Sequence, residues 1–294
     1  MGGPSAPLLP LLLLMWGASS TTAWNGESNV AAEPPRGWTS WNTAGCRRLS
    51  QNYIASTVDA LAASPLLRLG FNRVGIDDCW QSCGEGVNGS FHSADGAPLV
   101  NRTEFPDMHA LVQRGVEKKI AVGFYVNNCN CAENKFSDPG FIASVYSSTV
   151  AYVSELGFGG LKLDSCSQFR DTHLWAATAA KQTPDIMVED CHNKGGPTVL
   201  NHTTGELDCP MHIWRTGNDI TPGSWDSFLL NFAQLSAFLS SEDILSRPNC
   251  WAYPDACQTG SFRTFEEDRS NFGAWCVSSS PLILGTIKLI SPVI

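Results

Sequence analysis

Gly157-Phe158-Gly159-Gly160-Leu161-Lys162-Leu163-Asp164-Ser165-Cys166 opens on glycines, follows a helix-like segment and carries two charges inside an otherwise apolar run. If residues 161–164 form a strand, alternation puts Lys162 and Asp164 on one face and Leu161 and Leu163 on the other. A short apolar run behind a helix reads as a buried parallel strand, where two unexplained charges are costly. Two readings stay open. One is a structural ion pair at a strand end. The other is a carboxylate at the C-terminal end of a barrel strand, held charged by a lysine two residues before it. On the second reading Asp164 is the candidate nucleophile.

Outward from this stretch, strand-like and helix-like segments alternate. Residues 36–41 read as a first strand, ending at Asn42 and leading to Cys46. Ser50 suits the N-cap of a helix to about Leu69, which Gly70 stops. Residues 71–76 form a second strand ending in Asp77-Asp78-Cys79-Trp80, and residues 81–105 read as a surface loop. Pro106 and Asp107 open a helix to about Lys118, and residues 120–126 form the third strand. Asp138-Pro139 opens a helix ending at Gly157, so the quoted stretch is the fourth strand. A helix around 167–181 leads to a fifth strand at 185–188, ending at Glu189-Asp190-Cys191-His192-Asn193.

The sixth strand, 211–214, ends at Arg215 and runs into Asp219, and a helix follows from about Pro222 to Leu239. Residues 251–255 give a seventh strand that Pro254 keeps short of regular. Thr264-Phe-Glu-Glu267 has capping-box form and begins a helix through about Ser278, with the eighth strand at 281–285. This alternation predicts a parallel (β/α)8 TIM-type barrel over 37–285 rather than an open sheet. Asp77/Asp78, Lys162/Asp164, Arg215/Asp219 and Asp255 fall at or just after C-terminal strand ends. That face carries the chemistry of such barrels, although a single acid there is commonly a helix N-cap.

Composition narrows the class. The 294 residues suffice for one large domain, and 19 Lys plus Arg against 28 Asp plus Glu give a formal charge of −9. That balance argues against a nucleic-acid or anionic-membrane partner and suits a neutral substrate. Residues 1–23 have the form of a cleaved secretory signal, with an apolar run over 8–16 and then Ala18, Ser19, Ser20 and Ala23. The run is short for a membrane anchor, the alternative, and residues 24–36 read as a loose leader. Sequons at Asn88, Asn101 and Asn201 and the eleven cysteines fit an oxidising secretory route. The odd count leaves at least one cysteine unpaired. Zinc is the weaker use, because Cys79/Cys83 and Cys129/Cys131 lack a second ligand pair at zinc-site spacing.

Six stretches become specific when taken together: GWTSWNTAGC (37–46), GIDDCW (75–80), LKLDSC (161–166), WRTGNDI (214–220), WAYPD (251–255) and WCVSSSPLILG (275–285). In this order the chain resembles the melibiase-type α-galactosidases, a family that includes the α-N-acetylgalactosaminidases. The resemblance implies a (β/α)8 barrel followed by an antiparallel β domain, and retaining glycosidase chemistry on two aspartates without metal or cofactor. It makes Asp164 the nucleophile and Asp219 the general acid/base. Trp41, Asp77, Asp78, Tyr125, Lys162 and Arg215 match sugar-pocket positions, and Asp255 is a less close match.

Retention requires the two carboxyls about 5–5.5 Å apart, one ionised and one carrying a proton at the start. Lys162 would favour an ionised Asp164. Asp77 and Asp78 would accept hydrogen bonds from sugar hydroxyls. Trp41 and Tyr125 are each either pocket walls or core aromatics. The resemblance also suggests disulfides Cys46–Cys79, Cys131–Cys166 and Cys191–Cys209. Cys129 competes with Cys131, and Cys83, Cys250, Cys257 and Cys276 are unassigned.

Two departures matter. The family's Glu-Trp after Cys191 is replaced by His192-Asn193-Lys194, in a loop that helps tell a galactose 2-hydroxyl from an N-acetyl group. His192 is a substrate-contact candidate or an ordinary loop histidine, and Glu189 is another candidate acid of this loop. After Gly285 only residues 286–294 follow, so the expected barrel lacks its last helix and the family's β domain. Such a barrel should expose an apolar strip along strands one and eight, extended by Leu289, Ile290, Val293 and Ile294. The sequence thus predicts a secreted or lysosomal (vacuolar) retaining enzyme that releases terminal α-linked galactose. Its substrate is a carbohydrate, with no nucleic acid and no membrane after signal cleavage; a homodimer stays open. The alternatives are an α-N-acetylgalactosaminidase or related α-glycosidase, and an inactive sugar-binding or non-productive truncated form.

Overall fold

The computed structural model describes residues 30–183, 185–192, 209–239, 246–288 and 290. The signal-like segment, most of the leader, Asn193, Lys194, the Asn201 sequon, Leu289, Val293 and Ile294 lie outside them. Among the described residues the order is β1 (Arg36–Thr39), α1 (Trp41–Arg48), α2 (Gln51–Ala63), β2 (Phe71–Gly75), α3 (Met108–Glu117), β3 (Ala121–Val126), α4 (Pro139–Leu156) and β4 (Gly160–Leu163). There follow α5 (Thr172–Gln182), β5 (Met187–Asp190), β6 (Ile213–Arg215), α6 (Trp225–Ser236), β7 (Trp251–Tyr253), α7 (Phe265–Val277) and β8 (Leu282–Leu284).

All ladders are parallel, in the order β7-β6-β5-β4-β3-β2-β1-β8. The ring is completed just after β7, where Cys257 donates to Ile283 and accepts from Gly285. The architecture is a (β/α)8 barrel, as expected.

Local signals set most boundaries. Asp107 accepts from the Ala110 N–H at 2.8 Å and Asp138 from the Gly140 N–H at 2.9 Å, each satisfying an otherwise orphaned donor. Gly157 ends α4 at φ 80°, a left-handed conformation that suits glycine. Thr264 and Glu267 form the expected capping box. The helix from Ser50 stops at Ala63 instead of Leu69. Pro65 follows Ser64, which is held extended, and a separate 3-10 turn, Leu67–Leu69, completes the connection. The helix expected at 167 begins at Thr172, because Asp171 is its cap and Gln168 is tied to the backbone of Glu133 and Phe136. The fifth strand lies later than expected and takes in Glu189 and Asp190, which pair with Lys162 and Leu163.

The expected apolar strip is not found among the described residues. Trp38 and Leu284 are buried on strands one and eight, and Ile287 and Ile290 pack into the same core. Among the described residues no helix is long and apolar enough to cross a membrane.

Four disulfides tie the loops at the strand ends: Cys46–Cys79, Cys83–Cys131, Cys129–Cys166 and Cys209–Cys250. The first was expected, and the other two expected pairings are corrected. Cys129, not Cys131, sits 4.8 Å (Cα–Cα) from Cys166, while Cys131 turns to Cys83 at 5.6 Å. Cys191 is a buried thiol because strand alternation sends it into the barrel, and Cys209 pairs instead with Cys250. Cys257 is a second buried thiol and Cys276 an exposed one. Proteolysis without reduction should release a Cys129–Cys166 linked peptide, and mass spectrometry showing Cys131–Cys166 instead would reject this arrangement.

Candidate active site

Strand alternation delivers the site. Inward-facing positions run Arg73, Gly75 and then Asp77 from β2; Gly160, Lys162 and then Asp164 from β4; and Met187, Glu189 and then Cys191 from β5. The last member of each series reaches the C-terminal mouth. There Thr39, Trp41, Asn42, Asp77, Asp78, Tyr125, Cys129, Lys162, Asp164, Cys191, Arg215, Asp219 and Asp255 line a cavity of about 60 Å³. Every site residue expected from the sequence lies in that wall except His192 and Glu189, the second of which lines the barrel interior beneath it. Trp41 is 40% exposed at the start of α1, so it is no core aromatic.

Asp164 is held from two sides. The Tyr125 hydroxyl donates to Oδ2 at 2.6 Å, and the Ser165 N–H donates to Oδ1 at 2.7 Å. Burial, together with the charges of Asp164, Asp77 and Asp78, pushes the Tyr125 phenol well above its ordinary pKa, so it remains a donor. The Asn127 side chain donates to the Asp164 carbonyl and fixes the backbone beneath it.

Lys162 couples to Asp164 through charge but makes its hydrogen bond elsewhere. It crosses the Tyr125 ring, 5.6 Å from the centroid, and its Nζ donates to Asp77 Oδ2 at 2.6 Å. Burial works against the ammonium charge, but Asp77, Glu189 and Asp164 more than offset it and hold its pKa well up. Thr39 Oγ1 also donates to Asp77 Oδ2, at 3.3 Å.

Asp78 is committed to the protein. Its Oδ1 accepts from the Cys79 N–H and Gln81 Nε2, and its Oδ2 from the N–H groups of Cys129 and Asn130. Those donors match the roughly four lone-pair sites of a carboxylate. Asp78 therefore clamps the 127–131 loop, and Asp77 is the better-placed acceptor for a ligand hydroxyl. Burial pushes the Asp78 carboxyl up, against the pull of those donors.

On the opposite wall, Arg215 is buried and donates to Asp219, whose side chain is 63% exposed. Asp255 lies 3.8 Å from Arg215 and accepts from the Ile220 N–H at 2.6 Å. Its φ of 77° is a left-handed backbone for a non-glycine residue, stabilised by that bond. Burial raises its pKa against the opposing pull of Arg215.

His192 is instead bound to Asp190, Nδ1 to Oδ1 at 3.0 Å, with Thr172 Oγ1 at 3.5 Å. Burial disfavours its charge, yet the Asp190 carboxylate outweighs burial and raises its pKa. Sequence reasoning missed Thr39, Asn42 and the inward thiol of Cys191. Thr39 has the parity of Gly37 in β1, which was the available signal. No metal-binding pattern accounts for the Cys129, Asp164 and Cys166 cluster, because the two cysteines are disulfide-bonded to each other.

With an exposed carboxyl, a doubly hydrogen-bonded carboxylate and an indole face around one small cavity, the site suits a neutral polyhydroxylated ligand and proton transfer to it. The chain is 31% identical over 275 residues to Alpha-galactosidase A of Cellvibrio japonicus, covering 87% of this chain and 62% of that protein. It is 26% identical over 298 residues to the Alpha-N-acetylgalactosaminidase of Gallus gallus, covering 90% and 68%. The fold is shared with alpha-galactosidase I from Mortierella vinacea, with a TM-score of 0.67 and 20% identity over 89% of this chain and 68% of that one. The chain spans less than two thirds of the Cellvibrio protein and of the Cyamopsis tetragonoloba Alpha-galactosidase, 62% and 60% of their lengths. The pattern of the melibiase family described as alpha galactosidase A matches residues 33–292, and this chain belongs to that family.

Proposed function

We propose that the protein is a retaining glycoside hydrolase that releases terminal α-linked galactose. Asp164 attacks the anomeric carbon while Asp219 protonates the departing glycosidic oxygen, giving a glycosyl-aspartate. Asp219 then takes a proton from water, the water oxygen attacks the same carbon, and Asp164 leaves as carboxylate. The observation that carries this reading is that Asp164 and Asp219, from the segments that follow β4 and β6, line one cavity. Tyr125 and the Ser165 N–H orient the nucleophile and spread its charge. Asp77, with Lys162, is suited to accept a sugar hydroxyl, and the exposed Trp41 offers an apolar face.

Four disulfides suit an oxidising compartment, in keeping with passage through the secretory pathway to the cell exterior or a lysosome. On this reading residues 1–23 are a signal that is removed, and Asn88, Asn101 and Asn201 are glycosylated; Asn88 is exposed. An N-acetylgalactosamine substrate is the second reading, favoured by the Gallus gallus relative. Aryl α-galactoside and aryl α-N-acetylgalactosaminide, offered in parallel, separate the two. Proton NMR of the first sugar released should show the α anomer. Release of the β anomer first would exclude retention.

A further inference from the structure

Beneath the site, Glu189 on β5 stands opposite Lys162 on β4 in the ladder. Both line an interior cavity of about 40 Å³, where Gly75, Gly123 and Gly160 leave open space that side chains fill in most such barrels. This exceeds the roughly 10–15 Å³ that a cavity needs to hold a water. The Tyr253 phenol, from β7, donates to Glu189 Oε1. The Lys162 ammonium thus has a carboxylate on each side, Asp77 in hydrogen-bond contact and Glu189 across the ladder.

We infer that Glu189 is a positioning residue: its charge shares the field of Lys162, so that Lys162 can hold Asp77 without blunting the attack by Asp164. This rests on the reading of Asp164 as nucleophile. When Glu189 takes up a proton, Lys162 acts on Asp77 and Asp164 alone and attack slows. Burial pushes Glu189 above the ordinary carboxylate range, Lys162 and the Tyr253 hydroxyl pull it down, and Asp77 and Asp255 push it up. Arg73, from β2, is the other charged group on the cavity wall, and the Cys191 thiol is the next inward side chain after Glu189.

The test is the pH dependence of kcat and KM for an aryl α-galactoside with the wild type, Glu189→Gln and Tyr253→Phe. The wild type should lose kcat as pH falls through the Glu189 titration, with KM little changed. Glu189→Gln should lie about tenfold lower in kcat at neutral pH, about 1.4 kcal/mol of barrier, and should lack that limb. Tyr253→Phe removes a bond that favours the ionised form, so it should move the limb to higher pH. An unchanged limb in both variants would overturn the proposal, whereas a purely structural role would lower the melting temperature without touching the limb.

If the wild type hydrolyses no α-glycoside, it is the enzymatic reading that fails, and Glu189 is then read from melting. A folded-state pKa above the unfolded one gives stability present at acid pH and lost as pH rises. The wild type should therefore lose stability relative to Glu189→Gln as pH rises above the ordinary Glu value of about 4.3 and through the raised folded-state one. A gap that stays flat with pH would show that Glu189 does not titrate against Lys162, and the proposal would fall with it.

Discussion

Asp164→Asn is expected to lower kcat for an aryl α-galactoside by about 10⁴-fold, roughly 5.5 kcal/mol of barrier at 1.36 kcal/mol per tenfold. The amide is nearly isosteric with the carboxylate but is a poor nucleophile, so the first covalent step loses its attacking group. Folding should suffer little, and the size of that effect follows from the local bonds. Asp164 accepts from both the Tyr125 hydroxyl and the Ser165 N–H. An amide has one acceptor oxygen and one donor NH₂, so it can satisfy only one of them. Losing a single hydrogen bond costs about 1 kcal/mol, or a melting shift of about 2–4 °C. Calorimetry beside the kinetics separates the two effects. Wild-type turnover by a folded Asp164→Asn protein would remove Asp164 from the mechanism. A melting loss far beyond that figure would make the lost activity a folding effect.

The fold was legible because its signals are local and repeated. Asp107, Asp138, Ser50 and Thr264 each accept from a backbone N–H in the first turn that follows, and each was readable as a cap. What failed was governed by pairing across the barrel. Residues 185–188 carry the apolar run of strand five, but the ladder with β4 continues to Asp190 because Lys162 and Leu163 still offer backbone partners. Ending the strand early left Glu189 looking like a loop residue, when it is an inward side chain of the barrel interior.

The candidate site was legible by the same logic and to the same limit. Knowing that Asp77, Lys162 and Asp164 share a face says they are neighbours, not which carboxylate the ammonium reaches. The structure gives it to Asp77, 85 residues away in sequence. The cysteines show the limit most plainly. Cys129 and Cys131 are two residues apart in sequence, and only the path of the loop after β3 turns one to Cys166 and the other to Cys83.

Lys162→Met should produce the largest stability loss in the site. Asp77 and Lys162 side chains are 5% and 17% exposed, so removing the cation strands a buried carboxylate, and Glu189 loses the same neighbour. Breaking a buried pair from one side costs about 3–5 kcal/mol, which at about 2–4 °C per kcal/mol for a domain of this size lowers the melting temperature by roughly 10 °C. The loss should depend on pH, and its sign follows from linkage. Without Lys162, burial acts on Glu189 with less opposition, so its folded-state pKa rises further above the unfolded value. A group shifted that way contributes stability that is present below the unfolded pKa and lost as pH rises through the folded one. The gap between Lys162→Met and the wild type should then be narrow near about pH 4 and widest at neutral pH, above the ordinary Glu value of about 4.3. A small loss at every pH would mean that water reaches these carboxylates and screens them, and Lys162 would be a ligand-facing group rather than the electrostatic keystone of the barrel mouth.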